Sequence, residues 1–167
     1  FDVAAYSAAL AEVKAAYPQY ALWVEPGRYL VAEAGALLLH VTQVASKQGL
    51  RRVGADGGMN ALMRPALYEA WHDILPVAPH AGETRAYDVV GPVCETGDFL
   101  GLARPLCIAA GDLLAVMSAG AYGMAMASNY NTRPRVVEVM VDGDKVHQVR
   151  RRETVAELFA GEQLLPT

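Results

Sequence analysis

Hydrophobic and polar positions along the chain change their period once, near residue 25. Before it, Val3, Tyr6, Leu10, Val13 and Tyr17 recur at alternating steps of three and four, the spacing of one apolar helix face. Asp2 is placed to cap that helix and Pro18 to stop it. Tyr20-Ala-Leu-Trp-Val24 follows as a short apolar run ending at Glu25-Pro-Gly-Arg28, so helix, buried strand and glycine turn succeed one another as in an α/β unit. After the turn the pattern becomes that of short strands between Gly, Pro and Asp clusters. The β-prone runs are Leu38–Val44, Leu50–Val53, Asp73–Val77, Arg85–Val90, Asp112–Val116 and Arg135–Val141. Such strands without long helices between them predict a mainly β domain, a barrel or sandwich. Asp142-Gly143 predicts a tight turn and a hairpin over 135–150. Thr154 and Glu157 stand at capping-box spacing ahead of a last helix whose apolar side is Val155, Leu158 and Phe159.

Composition narrows the classes. With 167 residues, 53% of them hydrophobic, the chain can bury a core. The net charge is −4 and the one basic run is Arg150-Arg151-Arg152, which argues against nucleic acid as a partner. Apolar stretches such as Gly35–Leu39 and Leu113–Met117 fall far short of the ~20 residues of a membrane span. No basic, then apolar leader opens the chain, and the two cysteines, Cys94 and Cys107, make no disulfide framework, which points to a reducing cytoplasm. They lack the neighbours of a zinc site. Because the chain opens at Phe1 and runs straight into helical periodicity, it is expected to be part of something longer.

Five segments, in order, carry a family likeness: Glu25-Pro-Gly-Arg28, Asp56-Gly-Gly-Met-Asn60, Arg64-Pro-Ala-Leu-Tyr68, Cys94-Glu-Thr-Gly-Asp98 and Ser118-Ala-Gly-Ala-Tyr-Gly-Met124. Ser128-Asn-Tyr-Asn131, Arg133-Pro-Arg135 and Arg151-Arg-Glu-Thr154 extend it over nearly the whole chain. The set resembles the C-terminal portion of diaminopimelate decarboxylases, which act with pyridoxal phosphate in lysine biosynthesis. The resemblance implies residues 1–29 as the last helix and strand of a (β/α)8 barrel. It implies 30–152 as a β-barrel or sandwich of the decarboxylase and alanine racemase type, and 153–167 as a C-terminal helix and tail. In that family the cofactor forms a Schiff base with a lysine of the barrel. Lys14, Lys47 and Lys145 are the only lysines here, and none sits in such a setting, so this chain alone is expected to be inactive.

The residue chemistry can be weighed beside that likeness. Gly27 lets backbone N–H groups approach a phosphate if a helical turn begins near Arg28, although the same residues also suit an ordinary strand-to-helix turn. By resemblance, Glu25, Pro26, Gly27 and Arg28 form the cofactor-phosphate segment, with Tyr122 reaching phosphate and substrate. Arg28 and Arg64 suit a carboxylate, which guanidinium pairs in a plane. They should hold the distal carboxylate of diaminopimelate, because gripping the one to be lost would stabilise the ground state. Glu95 matches the distal ammonium, and Tyr68, one turn from Arg64 if Pro65 opens a helix, adds a hydroxyl. Cys94 resembles the family's proton donor; a thiol stays mostly protonated near neutrality and so has a proton to give. Cys107 is read as a small buried hydrophobe. His40, His72, His80 and His147 are given no catalytic role. Asp56 with Gly57 and Gly58 is read as a structural turn, with Asn60 as a helix cap. The resemblance further implies a homodimer in which Cys94 and Glu95 serve the partner's site. The competing readings are a non-catalytic dimerisation module and a related decarboxylase of ornithine, arginine or carboxylated polyamines.

Overall fold

Leu39 and Val41 turn inward while Leu38 and His40 face out, and this two-residue period builds the central strand of the domain. The computed structural model describes residues 1–166. In chain order the regular elements are α1 (Val3–Ala16), α2 (Gly27–Val31), β1 (Leu37–Lys47), β2 (Leu50–Ala55), α3 (Arg64–Tyr68) and β3 (Ile74–Pro76). They continue with β4 (Arg85–Val90), β5 (Phe99–Leu106), β6 (Leu113–Val116), β7 (Glu138–Asp142), β8 (Lys145–Arg150) and α4 (Val155–Leu158). Six strands form one sheet in the order β3-β6-β1-β2-β4-β5, and its two outer strands touch, so the sheet is a nearly closed barrel. Each outer strand carries a proline, Pro76 and Pro105, which cannot donate to a further ladder.

The long β1 joins the two halves. Its first residues, Leu37–His40, pair with β6, and from Val41 onward it pairs with β2. A register shift between Val41 and Gln43 bends the strand there, and Thr42 Oγ1 donates to the Gly54 carbonyl at 3.0 Å. Inside lie Leu39, Val53, Val89, Leu100, Leu114 and Val116, all at 3% exposure or less, so the core is aliphatic and contributed by every part of the barrel. The hairpin β7–β8 stands apart as a two-stranded sheet.

The mainly β expectation therefore holds, and each of the six β-prone runs after the turn overlaps a strand. Three details differ. Tyr20–Val24, expected as a buried strand, is neither strand nor buried: Trp23 is 90% exposed. A parallel strand exists only through hydrogen-bonded neighbours, and among the described residues none lies beside it. Strand β5 was not expected, because Gly101 and Pro105 break its pattern and Ala103, at φ 51°, bulges out of the ladder to meet the Asp88 carboxylate. Strand β7 starts at Glu138 rather than Arg135, since the Arg135 N–H is taken by Glu153 at 2.8 Å. In addition, Asn60 caps no helix; it is buried, and α3 begins from Met63 with no side-chain cap.

Both helix termini read from the sequence are present. Asp2 accepts from the Ala5 N–H at 2.9 Å, and Thr154 with Glu157 forms the reciprocal capping box. The Arg151 guanidinium, followed by the Thr154 N–H, pulls the Glu157 carboxyl down to about 2. Helix α1 buries no residue, so its apolar stripe of Val3, Tyr6, Val13 and Tyr17 is exposed.

Candidate active site

The Glu25–Arg28 turn is held against the barrel by two glycines. Ala119 N–H donates to the Gly35 carbonyl at 2.8 Å and Gly120 N–H to the Ala32 carbonyl at 2.9 Å. The backbones of Gly35 and Gly120 approach so closely that a Cβ on either would overlap the other strand of chain. This junction leaves a cleft of about 1030 Å³ between the turn, α3 and the loop after β6. Glu25, Pro26, Gly27, Arg28, Arg64 and Tyr122 all line it.

Within the cleft, Arg64 is the most constrained charge. It opens α3, where Pro65 supplies the fixed φ of a first helical turn. Its Nη1 lies 3.3 Å from His72 Nε2, and its Cζ lies 5.9 Å from the centroid of the Tyr122 ring. Its Nε is buried without a hydrogen-bond partner. His72 is 1% exposed, and its Nδ1 lies 2.8 Å from the Met117 carbonyl. A carbonyl only accepts, so Nδ1 carries the hydrogen and the Nε2 lone pair faces Arg64. Burial, opposed by the Met117 hydrogen bond and aided by the charges of Arg64 and Arg104, lowers the imidazole pKa and keeps the ring neutral.

The loop that brings Tyr122 to the cleft is strained. Ser118 and Tyr122 hold φ of 55° and 59°, the left-handed region that non-glycine residues rarely occupy. Such strain persists only where surrounding contacts impose it, and it concentrates at functional sites. Gly27 shows the opposite condition. A Cβ there would meet no atom within 4 Å, so the turn keeps open space above its backbone. With Arg28 and Arg64 in its lining, that space makes the cleft fit an anionic ligand of cofactor or substrate type.

Cys94, Glu95 and Tyr68 lie elsewhere. Cys94 is a free, exposed thiol, and Glu95 beside it meets the Tyr130 hydroxyl at 3.4 Å. Tyr68 is 62% exposed at the far end of α3, outside the lining of the cleft. The Cys94–Glu95 loop is nonetheless rigidly based. The buried Asp98 carboxylate accepts from the Met59 N–H and the Val93 N–H, each at 2.6 Å, and the Asp98 N–H returns to the Glu95 carbonyl at 3.1 Å. Gly58 and Gly91 leave room for that carboxylate, since a Cβ on either would collide with it. Asp56, read as a structural residue, accepts from the His40 N–H at 2.9 Å.

Two residues that organise the site were not singled out by their sequence context: His72 and Asp98. His72 belongs to no motif and Asp98 closes the Cys94–Asp98 segment without a role assigned to it, because each acts on positions remote in the chain, 45 residues away for Met117 and 39 for Met59. Lys14, Lys47 and Lys145 are absent from the lining of the cleft. Among the described residues no helix is long and apolar enough to cross a membrane.

Comparison with known proteins agrees with this geometry. Residues 6–120 match the family model described as the pyridoxal-dependent decarboxylase, C-terminal sheet domain. The chain is 59% identical over 146 residues to the diaminopimelate decarboxylase of Pseudomonas fluorescens, covering 87% of this chain and 35% of that protein. It is 51% identical over 161 residues to the Vibrio cholerae diaminopimelate decarboxylase, covering 96% of this chain and 39% of that one. The crystal structure of diaminopimelate decarboxylase from M. jannaschii in complex with L-lysine superposes with a TM-score of 0.81 at 40% identity, over 84% of this chain and 32% of that one. The chain thus spans about a third of the length of the relatives it matches. It belongs to the pyridoxal-dependent decarboxylase family and carries that family's C-terminal sheet domain.

Proposed function

We propose that this chain is the C-terminal portion of a cytoplasmic, homodimeric enzyme that decarboxylates meso-diaminopimelate to L-lysine and carbon dioxide. Residues 1–29 would complete a (β/α)8 barrel, 30–152 form the β domain, and 153–167 the C-terminal helix and tail. The exposed apolar stripe of α1 and the exposed Trp23 support that division, because both present surface that a barrel would cover. The observation that carries the functional reading is the convergence of two guanidinium-bearing residues, Arg28 and Arg64, with Tyr122 on one cleft. A carboxylate is the anion that guanidinium groups pair in a plane, so a substrate carboxylate suits that pair of cations.

Pyridoxal phosphate, held by Glu25–Arg28 and Tyr122, would supply the electron sink for the charge left when carbon dioxide departs. The protein's own residues do the rest. Arg64 and Arg28 grip the distal carboxylate and so orient the molecule with its other end at the reacting position. The carboxylate to be lost is left without a strong cation partner, so its ground state is not stabilised. Cys94 holds at Sγ the proton that the reacting carbon receives, and Glu95 pairs the distal ammonium; Tyr68, which lies outside the cleft, adds its hydroxyl to the distal group once its side chain turns from solvent toward the substrate. The exposure of Cys94 and Glu95 outside their own cleft supports their acting in the partner subunit's site.

In the full-length enzyme, Arg64→Ala is expected to raise KM for diaminopimelate at least about tenfold, and Arg64→Lys to restore little, because the planar fork is lost. Unimpaired turnover by Arg64→Ala would instead favour a related decarboxylase whose substrate has no distal carboxylate. By itself the chain is read as a non-catalytic association domain, since none of its lysines lines the cleft. Imine absorbance on adding pyridoxal phosphate, lost on replacing one of those lysines, would contradict that reading.

A further inference from the structure

We infer that His72 is the positioning residue that selects substrates through Arg64, by accepting a hydrogen bond from Nη1 and so presenting the rest of the guanidinium to the distal carboxylate. This rests on the reading of Arg64 given above. The geometry limits the guanidinium from two sides: His72 Nε2 stands 3.3 Å from Nη1, and the Tyr122 ring lies 5.9 Å from Cζ. The ring of His72 cannot turn to release Arg64 without breaking the 2.8 Å contact of Nδ1 with the Met117 carbonyl, and at 1% exposure no water replaces that contact cheaply.

The charges facing the imidazole fix its role as an acceptor. Arg64 approaches from α3 and Arg104 from β5, both cations, and β6 ends at the neutral Met117 carbonyl. Arg104 is itself held 3.2 Å from the centroid of the Trp71 ring, and the nearby Asp73 is engaged by Trp71 Nε1 at 2.8 Å. No carboxylate therefore stabilises a protonated ring among the groups that act on it. A protonated His72 would set N–H against N–H at the Arg64 contact, and the grip would lose its anchor.

Competitive inhibition of the full-length holoenzyme separates this role from general packing. L-lysine keeps the distal carboxylate that Arg64 grips, whereas 1,5-diaminopentane lacks it. His72→Asn retains a donor for Met117 but places no acceptor at the Nε2 position, and is expected to weaken inhibition by L-lysine about tenfold while changing that by 1,5-diaminopentane less than about twofold. His72→Gln puts an acceptor back at that position and is expected to keep L-lysine inhibition within about threefold of wild type. In an Arg64→Ala background His72→Asn should add nothing, the mark of a residue that acts through another. Equal weakening of both inhibitors, a tenfold loss in His72→Gln, or full additivity with Arg64→Ala would overturn the inference. If Arg64→Ala itself leaves L-lysine inhibition intact, the reading of Arg64 falls first and this inference with it; if Arg64→Ala weakens it and His72→Asn does not, only the inference falls.

Discussion

Single side chains in this protein act mainly by satisfying backbone groups from distant segments. Asp98 is the clearest case, because one carboxylate closes the N–H groups of Met59 and Val93 and thereby fixes the base of the Cys94–Glu95 loop. Asp98→Ala leaves both donors unpaired in a buried place, which is expected to cost about 2–5 kcal/mol. Chemical denaturation should show that loss, and the full-length enzyme should lose turnover, since the loop it fixes carries both the proposed proton donor Cys94 and the proposed substrate partner Glu95. Ser118 and Tyr122, both at positive φ, give the same lesson in the backbone. No local preference selects that conformation for serine or tyrosine, so the contacts around the loop impose it.

At the level of elements, the decisive contact is between a short helix and a loop rather than between two strands. Helix α2 and the turn after it dock through Gly35 and Gly120, whose hydrogen bonds at 2.8 and 2.9 Å hold the Glu25–Arg28 turn beside Tyr122. Gly120→Ala would drive a methyl group into the Val31 carbonyl. It is expected to cost about 1–3 kcal/mol and to lower pyridoxal phosphate affinity in the full-length enzyme, read by fluorescence titration, because the turn is displaced from Arg64. A second junction is electrostatic. Glu153 accepts from the Arg135 N–H, from the Arg135 guanidinium at 2.9 Å and from the Asn129 amide at 2.7 Å, which lowers its carboxyl pKa, the backbone bond contributing most. That junction ties the outlying β7–β8 hairpin and α4 to the barrel, and explains why β7 begins three residues later than its β-prone run.

For the molecule as a whole, the separation of the Cys94–Glu95 loop from the cleft leads to a test of assembly. If each loop serves the partner's cleft, a full-length subunit with Cys94→Ala and another with Arg64→Ala form a mixed dimer with one intact site and one doubly damaged site. Assayed at diaminopimelate well below the raised KM of Arg64→Ala, the two impaired variants mixed under exchange conditions are expected to recover to roughly a quarter of wild-type activity. No recovery despite subunit exchange would place loop and cleft in the same chain. The β class, the hairpin and both helix caps were legible along the chain, because turns, caps and strand periods depend on neighbours within a few residues; the Glu25–Arg28, Arg64 and Tyr122 set was legible through the family likeness of its motifs and not from local spacing. The barrel's order, the bulged β5, the exposed Tyr20–Val24 segment, the neutral acceptor state of His72 and the keystone role of Asp98 were decided only in three dimensions. Each depends on a hydrogen bond, a burial or a missing strand partner set by residues far apart in sequence, where no local period carries the information.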